Sequence, residues 1–225
     1  MDTEAGTAKA RQAMSLVYDL FEPEIILEEP GIQGRELREP FVIICNHTRR
    51  TWQNVLIKMD GAVVRYAFNN HRICSLMAKD IMENPLMRNT AEALDCIPVS
   101  RDGASTDWLH ACTARLRKGD SVVIFPEGTT IKDTEFIDFR PGFALLASIA
   151  RVRVLPVAIN GDYRAFTRGR LKLTIGTPRA LEAKAADRDA MLSECRRFRR
   201  ITEDMYYAMP GSGERSSAGE KIINI

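Results

Sequence analysis

A chain of 225 residues fits one domain of the larger kind and is long enough to bury a sizeable core. Its hydrophobic content of 45%, charged content of 28% and net charge of +2 are those of an ordinary globular protein and point to no nucleic-acid partner. Five scattered cysteines with no CxxC pair argue against a disulfide framework or a zinc site and for a reducing compartment. No window approaches 18 uninterrupted apolar residues, and the N-terminus lacks the basic-then-apolar order of a signal peptide, so neither a spanning helix nor a leader is expected.

Taken in order, residues 1–7 are expected to be disordered. Over 8–21 apolar residues recur at helical spacing (Ala10, Ala13, Met14, Val17, Leu20, Phe21), which predicts a helix with one apolar face. Residues 24–28 read as a short strand, and Pro30-Gly31 and Gly34 mark turns. Residues 41–45 (Phe-Val-Ile-Ile-Cys) read as a buried strand, followed by the polar turn Thr48-Arg49-Arg50-Thr51 and a helix to about 68. A strand follows at 72–77, then a helical stretch at 79–94 broken at Pro85, then a strand at 95–99. A helix at 105–117 stops at Lys118-Gly119-Asp120, and a strand at 121–125 runs into Pro126-Glu127-Gly128-Thr129. The remainder reads as a helix at 143–150, strands at 152–159 and 171–175, and one or two charged helices over 179–207. The Gly/Ser-rich tail from Pro210 is expected to be mobile. Strands alternating with helices predict a single α/β domain over 8–207, its central sheet mixed or mostly parallel and flanked by helices.

Chemistry-bearing residues concentrate where strands end: Asn46-His47, Ser100-Arg101 and Pro126-Glu127-Gly128, with Pro156 in the strand 152–159. Open α/β sheets place their sites at such ends. A histidine can take a proton from a hydroxyl near neutral pH. Arginine suits a phosphate, because its planar fork donates two charge-assisted hydrogen bonds. Glu127 stands between a proline that fixes φ and a glycine that permits close backbone approach, a loop able to accept hydroxyl hydrogen bonds from a polyol. GxSxG, GxGxxG and GxxxxGK[ST] are all absent, so hydrolase and nucleotide-binding readings lack their motifs. The run Arg196-Arg197-Phe198-Arg199-Arg200 reads as a solvated helix face, with contact to anionic headgroups as the sharper alternative.

The series Asn46-His47, Ile97-Pro98-Val99-Ser100-Arg101, Phe125-Pro126-Glu127-Gly128-Thr129 and Val154-Leu155-Pro156-Val157-Ala158-Ile159 resembles the glycerolipid acyltransferase family, whose best-known members are the 1-acylglycerol-3-phosphate acyltransferases. The likeness runs over about 34–177 and includes Arg140-Pro141-Gly142. It implies a glycerol-3-phosphate acyltransferase-like fold. It also implies transfer of a fatty acyl group from acyl-CoA or acyl carrier protein to the hydroxyl of a lysophospholipid, foremost 1-acylglycerol-3-phosphate, giving phosphatidic acid. His47 would be the general base, Arg101 would bind the acceptor phosphate, and Glu127, Gly128, Thr129 and Arg140 would complete the acceptor pocket. Pro156 would shape its wall. No metal or bound cofactor is implied. The amphiphilic substrates imply peripheral association with the cytoplasmic face of a membrane.

One feature departs from the family pattern. The family's first motif places an aspartate five positions after the histidine, where this chain has Trp52. The next aspartate is Asp60, thirteen positions on, and Asp60-Gly61-Ala62-Val63-Val64 reads like the residues that follow the family's aspartate. An eight-residue insertion around 52–59 accounts for both. On one continuous helix, thirteen steps of ~100° would set His47 and Asp60 on roughly opposite faces. A looped-out insertion would let Asp60 orient the imidazole. Without that contact the chain reads as a lipid- or acyl-carrier-binding descendant with an impaired site. A third reading keeps the chemistry and changes the acceptor, to an amino-acid lipid or a glycolipid.

Overall fold

The computed structural model describes residues 22–28, 37–48, 60–68, 72–100, 105–128, 136–161, 171–182 and 187–212, with isolated helical positions at 8, 12, 15, 16 and 19. The expectations for 1–7, for the apolar face of 8–21, for a helix start at 51–59 and for the tail beyond 212 fall outside the described residues.

The element order is β1 (Glu24–Leu27), β2 (Val42–Cys45), α1 (Asp60–Ala67), β3 (Ile73–Ala78), α2 (Lys79–Met82), α3 (Pro85–Ala93), β4 (Cys96–Val99), α4 (Asp107–Arg117), β5 (Ser121–Ile124), α5 (Gly142–Ala150), β6 (Val154–Asn160), β7 (Lys172–Ile175) and α6 (Arg188–Ala208). The break between α2 and α3 falls just before Pro85, which lacks an N–H and so starts a helix better than it continues one. The expected helical stretch at 179–207 is a single helix from Arg188. Asp187 caps it by accepting the Ala190 N–H at 3.0 Å. Upstream, Arg179 is in extended backbone and bridges Val154.

The seven strands form one sheet in the order β1-β7-β6-β2-β5-β3-β4. From β6 to β4 every neighbouring pair is parallel. The β6–β7 pair is antiparallel, and β1 runs parallel to β7. Strands β2 and β5 are buried along their whole lengths and read as continuous apolar runs, as strands covered on both faces must.

Side chains alternate across the sheet. Ile43, Cys45, Val123, Leu155 and Val157 pack on one face with α1. Val42, Ile44, Val122, Ile124, Val154 and Ala158 pack on the other with α4, α5 and α6. This division positions the site. The connection leaving β2 passes through α1 on the first face, and the connection leaving β5 passes through α5 on the second. β2 and β5 are adjacent, with Val42 opposite Val122. Two neighbouring strands whose connections part to opposite faces open a crevice beyond their C-terminal ends.

The N-terminal ends of the strands carry structural charge. Asp120, fully buried before β5, accepts from Arg115 Nε at 2.5 Å and pairs with Arg72 Nε at 2.9 Å. Arg115 also pairs with Asp95, before β4. On the first face, Arg65 of α1 donates to the carbonyls of Ile73 and Leu94, tying that helix to β3 and to the end of α3.

Candidate active site

Cys45 is the last residue of β2, and its ladder partner on β6 is Val157. One step on, the Asn46 carboxamide takes over from the main chain. Its Nδ2 donates to the Ile159 carbonyl at 2.9 Å, and its Oδ1 accepts the Ile159 N–H at 2.9 Å. A carboxamide carries one donor group and one acceptor, as a peptide unit does, so Asn46 extends the pairing while its own backbone turns away. That turn delivers His47 into the crevice.

The His47 ring is fixed on two sides. Nδ1 lies 2.8 Å from Asp60 Oδ2. The ring also stacks on Phe125, with centroids 4.2 Å apart and planes 9° from parallel. An ionised carboxylate only accepts, so the Nδ1–H donates to Asp60 and the lone pair lies on Nε2. The His47 side chain is 23% exposed and Asp60 only 3%, so the imidazole meets solvent while its partner is buried. Asp60 opens α1, where a negative charge also suits the helix dipole. Its carboxylate accepts two further hydrogen bonds, from Thr48 N at 3.1 Å and from Thr48 Oγ1 at 2.8 Å. Asp60 therefore reaches His47 despite thirteen positions of separation.

Glu127, in the turn after β5, is buried and turned toward β2. Its Oε2 accepts the main-chain N–H of His47 at 2.9 Å. The sequence suggests that Glu127 faces the acceptor; this oxygen holds the histidine loop. Gly128 has φ +63°, and a Cβ built there would lie 2.6 Å from Arg140 Nε and 2.9 Å from its Cζ. The Arg140 guanidinium thus lies against the Gly128 backbone, and both the left-handed φ and the close approach favour glycine. Arg140 is exposed, and its N–H donates to the Pro126 carbonyl at 2.8 Å, which fastens it to the same turn.

His47, Asp60, Glu127, Gly128 and Arg140 are therefore brought together. Arg101 and Thr129 lie outside the described residues. Pro156 stands apart. It shares the β6 face of Val154 and Ala158, opposite that of Phe125 and α1, and its ring adjoins Gly176 and Met205. Alternation along β6 decides this, because an even step from Val154 cannot point to the His47 side.

Burial, with the Asp60 and Glu127 carboxylates nearby, pushes the Cys45 thiol well above its usual range. Burial also raises Cys74 and Cys96 to about 12 and Cys195 to about 11. Thiols so held are poor nucleophiles. Among the described residues, no cluster of three or more His, Cys, Asp or Glu could hold a metal ion.

The family model described as Acyltransferase matches residues 27–160, which is more than half of the chain. The chain belongs to the Acyltransferase family. The resemblance read from the strand-end motifs is upheld by that match. The chain is 26% identical over 141 residues to the 1-acyl-sn-glycerol-3-phosphate acyltransferase of Bacillus subtilis, covering 61% of this chain and 66% of that protein. It is 26% identical over 127 residues to a probable 1-acyl-sn-glycerol-3-phosphate acyltransferase of Mycoplasma genitalium, covering 56% of this chain and 46% of that protein. The chain thus spans about half to two thirds of the length of these curated relatives. The solved structure of the 1-acyl-sn-glycerophosphate (LPA) acyltransferase PlsC from Thermotoga maritima shares the fold, with a TM-score of 0.56 at 18% identity over 89% of this chain and 78% of that one.

Sequence reasoning left three contributors without a role. Asn46 and Phe125 stood inside the quoted motifs with no task assigned, and Thr48 was visible only as part of a polar turn. The signal for Asn46 was its place one residue beyond a buried strand, where a carboxamide can stand in for a peptide unit. For Phe125 the signal was strand alternation from Val123, which sets both on one face. Thr48 had no usable signal, because its partner is remote in sequence.

Proposed function

We propose that this chain transfers a fatty acyl group from a thioester to the hydroxyl of a lysophospholipid, with 1-acylglycerol-3-phosphate as acceptor and phosphatidic acid as product. The observation that carries the reading is the 2.8 Å contact between His47 Nδ1 and Asp60 Oδ2. It leaves a neutral Nε2 beside the crevice. Nε2 takes the proton of the acceptor hydroxyl as its oxygen attacks the thioester carbonyl carbon. The tetrahedral adduct then collapses, the C–S bond breaks, and the thiolate leaves with the proton that His47 returns. Asp60 stays ionised and stabilises the transient imidazolium. General-base assistance is typically worth ~10²–10⁴-fold. Holding the hydroxyl and the thioester in attacking geometry supplies much of the remainder.

Arg140 supports an anionic acceptor, because its guanidinium rests against the turn that carries Glu127. We assign it, with Arg101 from the end of β4, to the acceptor phosphate, and Gly128 and Thr129 to the pocket beside it. Glu127 contributes by holding the His47 loop. The same His–Asp contact removes the geometric reason for reading the chain as a binding descendant with a disabled site. The donor is acyl-CoA or acyl carrier protein. No helix of the described residues is long and apolar enough to cross a membrane, and we place the chain at the membrane surface from which its acceptor is drawn.

The test is thiol release from a long-chain acyl-CoA, with and without 1-acylglycerol-3-phosphate, for the native chain and for His47→Ala. Release that depends on the acceptor and vanishes in the variant is expected. Equal release from both proteins, repeated with acyl carrier protein as donor, would overturn the proposal.

A further inference from the structure

We propose that Thr48 is a positioning residue of this site and that its contacts, rather than sequence spacing, hold Asp60 against His47. The inference deepens the acyl-transfer reading and rests on it for its kinetic arm alone. Three observations carry it. First, thirteen positions separate the histidine from its carboxylate, so one helical segment from His47 to Asp60 would set them on opposite faces. Second, Thr48 grips both oxygens of that carboxylate, through N–H to Oδ2 at 3.1 Å and through Oγ1 to Oδ1 at 2.8 Å. Third, Thr48 is 0% exposed and Asp60 3% exposed, so water competes for neither group.

The two grips do different work. The Thr48 N–H and the His47 Nδ1–H converge on Oδ2, which sets the distance to the imidazole. The hydroxyl holds Oδ1, which sets the rotation of the carboxylate about its Cβ–Cγ bond. With the hydroxyl gone, Oδ1 loses that bond, and the lone pair that faces Nδ1 is less firmly aimed. A β-branched side chain suits the task, because its χ1 is stiff and the methyl packs while the hydroxyl bonds.

Thr48→Val keeps the shape and removes the donor, Thr48→Ala removes both donor and methyl, and Thr48→Ser restores the donor. The first readout is the downfield proton resonance of the His47 Nδ1–H, assigned by its loss in His47→Ala. The second is the split of kcat from KM. The resonance is expected in the native chain and in Thr48→Ser, and lost to exchange in Thr48→Val and Thr48→Ala. In the latter two kcat falls about tenfold, the size of one well-placed buried hydrogen bond, with KM unchanged. A Thr48→Val protein that keeps both the resonance and native kcat overturns the proposal. So does one that loses kcat while keeping the resonance, since Thr48 would then act by another route. The resonance is read without substrate, so failure of the acyl-transfer reading would leave this arm standing.

Discussion

Glu127 Oε2 accepts the main-chain N–H of His47 at 2.9 Å, a bond between the turn after β5 and the turn after β2. The two strands are neighbours whose connections part to opposite faces, so nothing in the ladder holds their exits together. The Glu127 carboxylate does so, from a position 2% exposed to solvent. A residue that sequence suggests is a ligand of the acceptor thereby also braces the loop of His47.

The brace needs an acceptor oxygen and no negative charge. Glu127→Gln retains a carbonyl oxygen and is expected to keep kcat within about fivefold, because a neutral hydrogen bond is weaker than a charge-assisted one but still made. Glu127→Ala orphans the His47 N–H and should lower kcat by about 10²-fold with a smaller change in KM. Steady-state kinetics of both variants decide it. A Gln variant that raises acceptor KM steeply at unchanged kcat would instead put Glu127 on the substrate.

Gly128 meets two demands at once, a φ of +63° and the guanidinium of Arg140 within 2.9 Å of where a Cβ would stand. The left-handed backbone costs a substituted residue about 1–2 kcal/mol. Arg140 is exposed and its long side chain has room to swing aside, so it does not block the fold. Gly128→Ala should therefore fold, melt a few degrees lower, and bind a phosphate-bearing acceptor several-fold more weakly. Acceptor KM measured beside Arg140→Ala checks this. If the guanidinium is the affected group, the double variant is no worse than Arg140→Ala alone.

The legible and illegible parts of this chain divide along physical lines. Strand β2 and the exit at His47 were readable, because a fully buried parallel strand is a continuous apolar run ending in polar residues. The stop at Gly119 was readable from local chemistry, and its φ of +87° agrees. The antiparallel β6–β7 pair was not, because pairing direction depends on partners distant in sequence. Reading Arg196 to Arg200 as one solvated face missed half of it. Arg197 bonds Glu194 and the Ala180 carbonyl, and Arg199 bonds the Phe136 carbonyl, so these two serve packing. Asp60 was named as the partner of His47 from the residues that follow it, yet its approach rests on Thr48, which no spacing rule reveals.

The buried thiols predict a loss of stability at high pH. Burial raises Cys74 and Cys96 from the ordinary 9.0 to about 12. Unfolded, they ionise first, so the unfolded state gains as pH rises past about 9. Their contribution to stability is whole below that value and is lost progressively toward pH 12. Each such thiol steepens the decline by about 1.4 kcal/mol per pH unit within that window. Urea midpoints measured from pH 8 to 10.5 should fall, and the slope should lessen in Cys74→Ala. A flat profile over that range would show that these thiols are not protected in the folded chain.

Pro156 and Gly176 meet on the face away from His47. Pro156 lies in the middle of the sheet without an N–H to give, and its carbonyl accepts the Gly176 N–H at 2.9 Å. Beyond that bond the register shifts by one. Val157 faces Ile175, but Val154 faces Arg179, so one extra residue is accommodated next to the proline. A Cβ on Gly176 would stand 3.0 Å from Pro156 Cγ and 3.0 Å from Met205 Sδ and Cε. The proline ring is held by a central strand and cannot move, whereas the methionine can. Gly176→Ala should therefore cost about 1–3 kcal/mol by overpacking, read as a lower thermal midpoint. Adding Met205→Ala should recover part of the loss. Activity per folded molecule should match the native chain, because the strain falls across the sheet from His47 and Asp60. A kcat that dropped in step with stability, with every molecule folded at the assay temperature, would mean instead that Pro156 borders the acceptor after all.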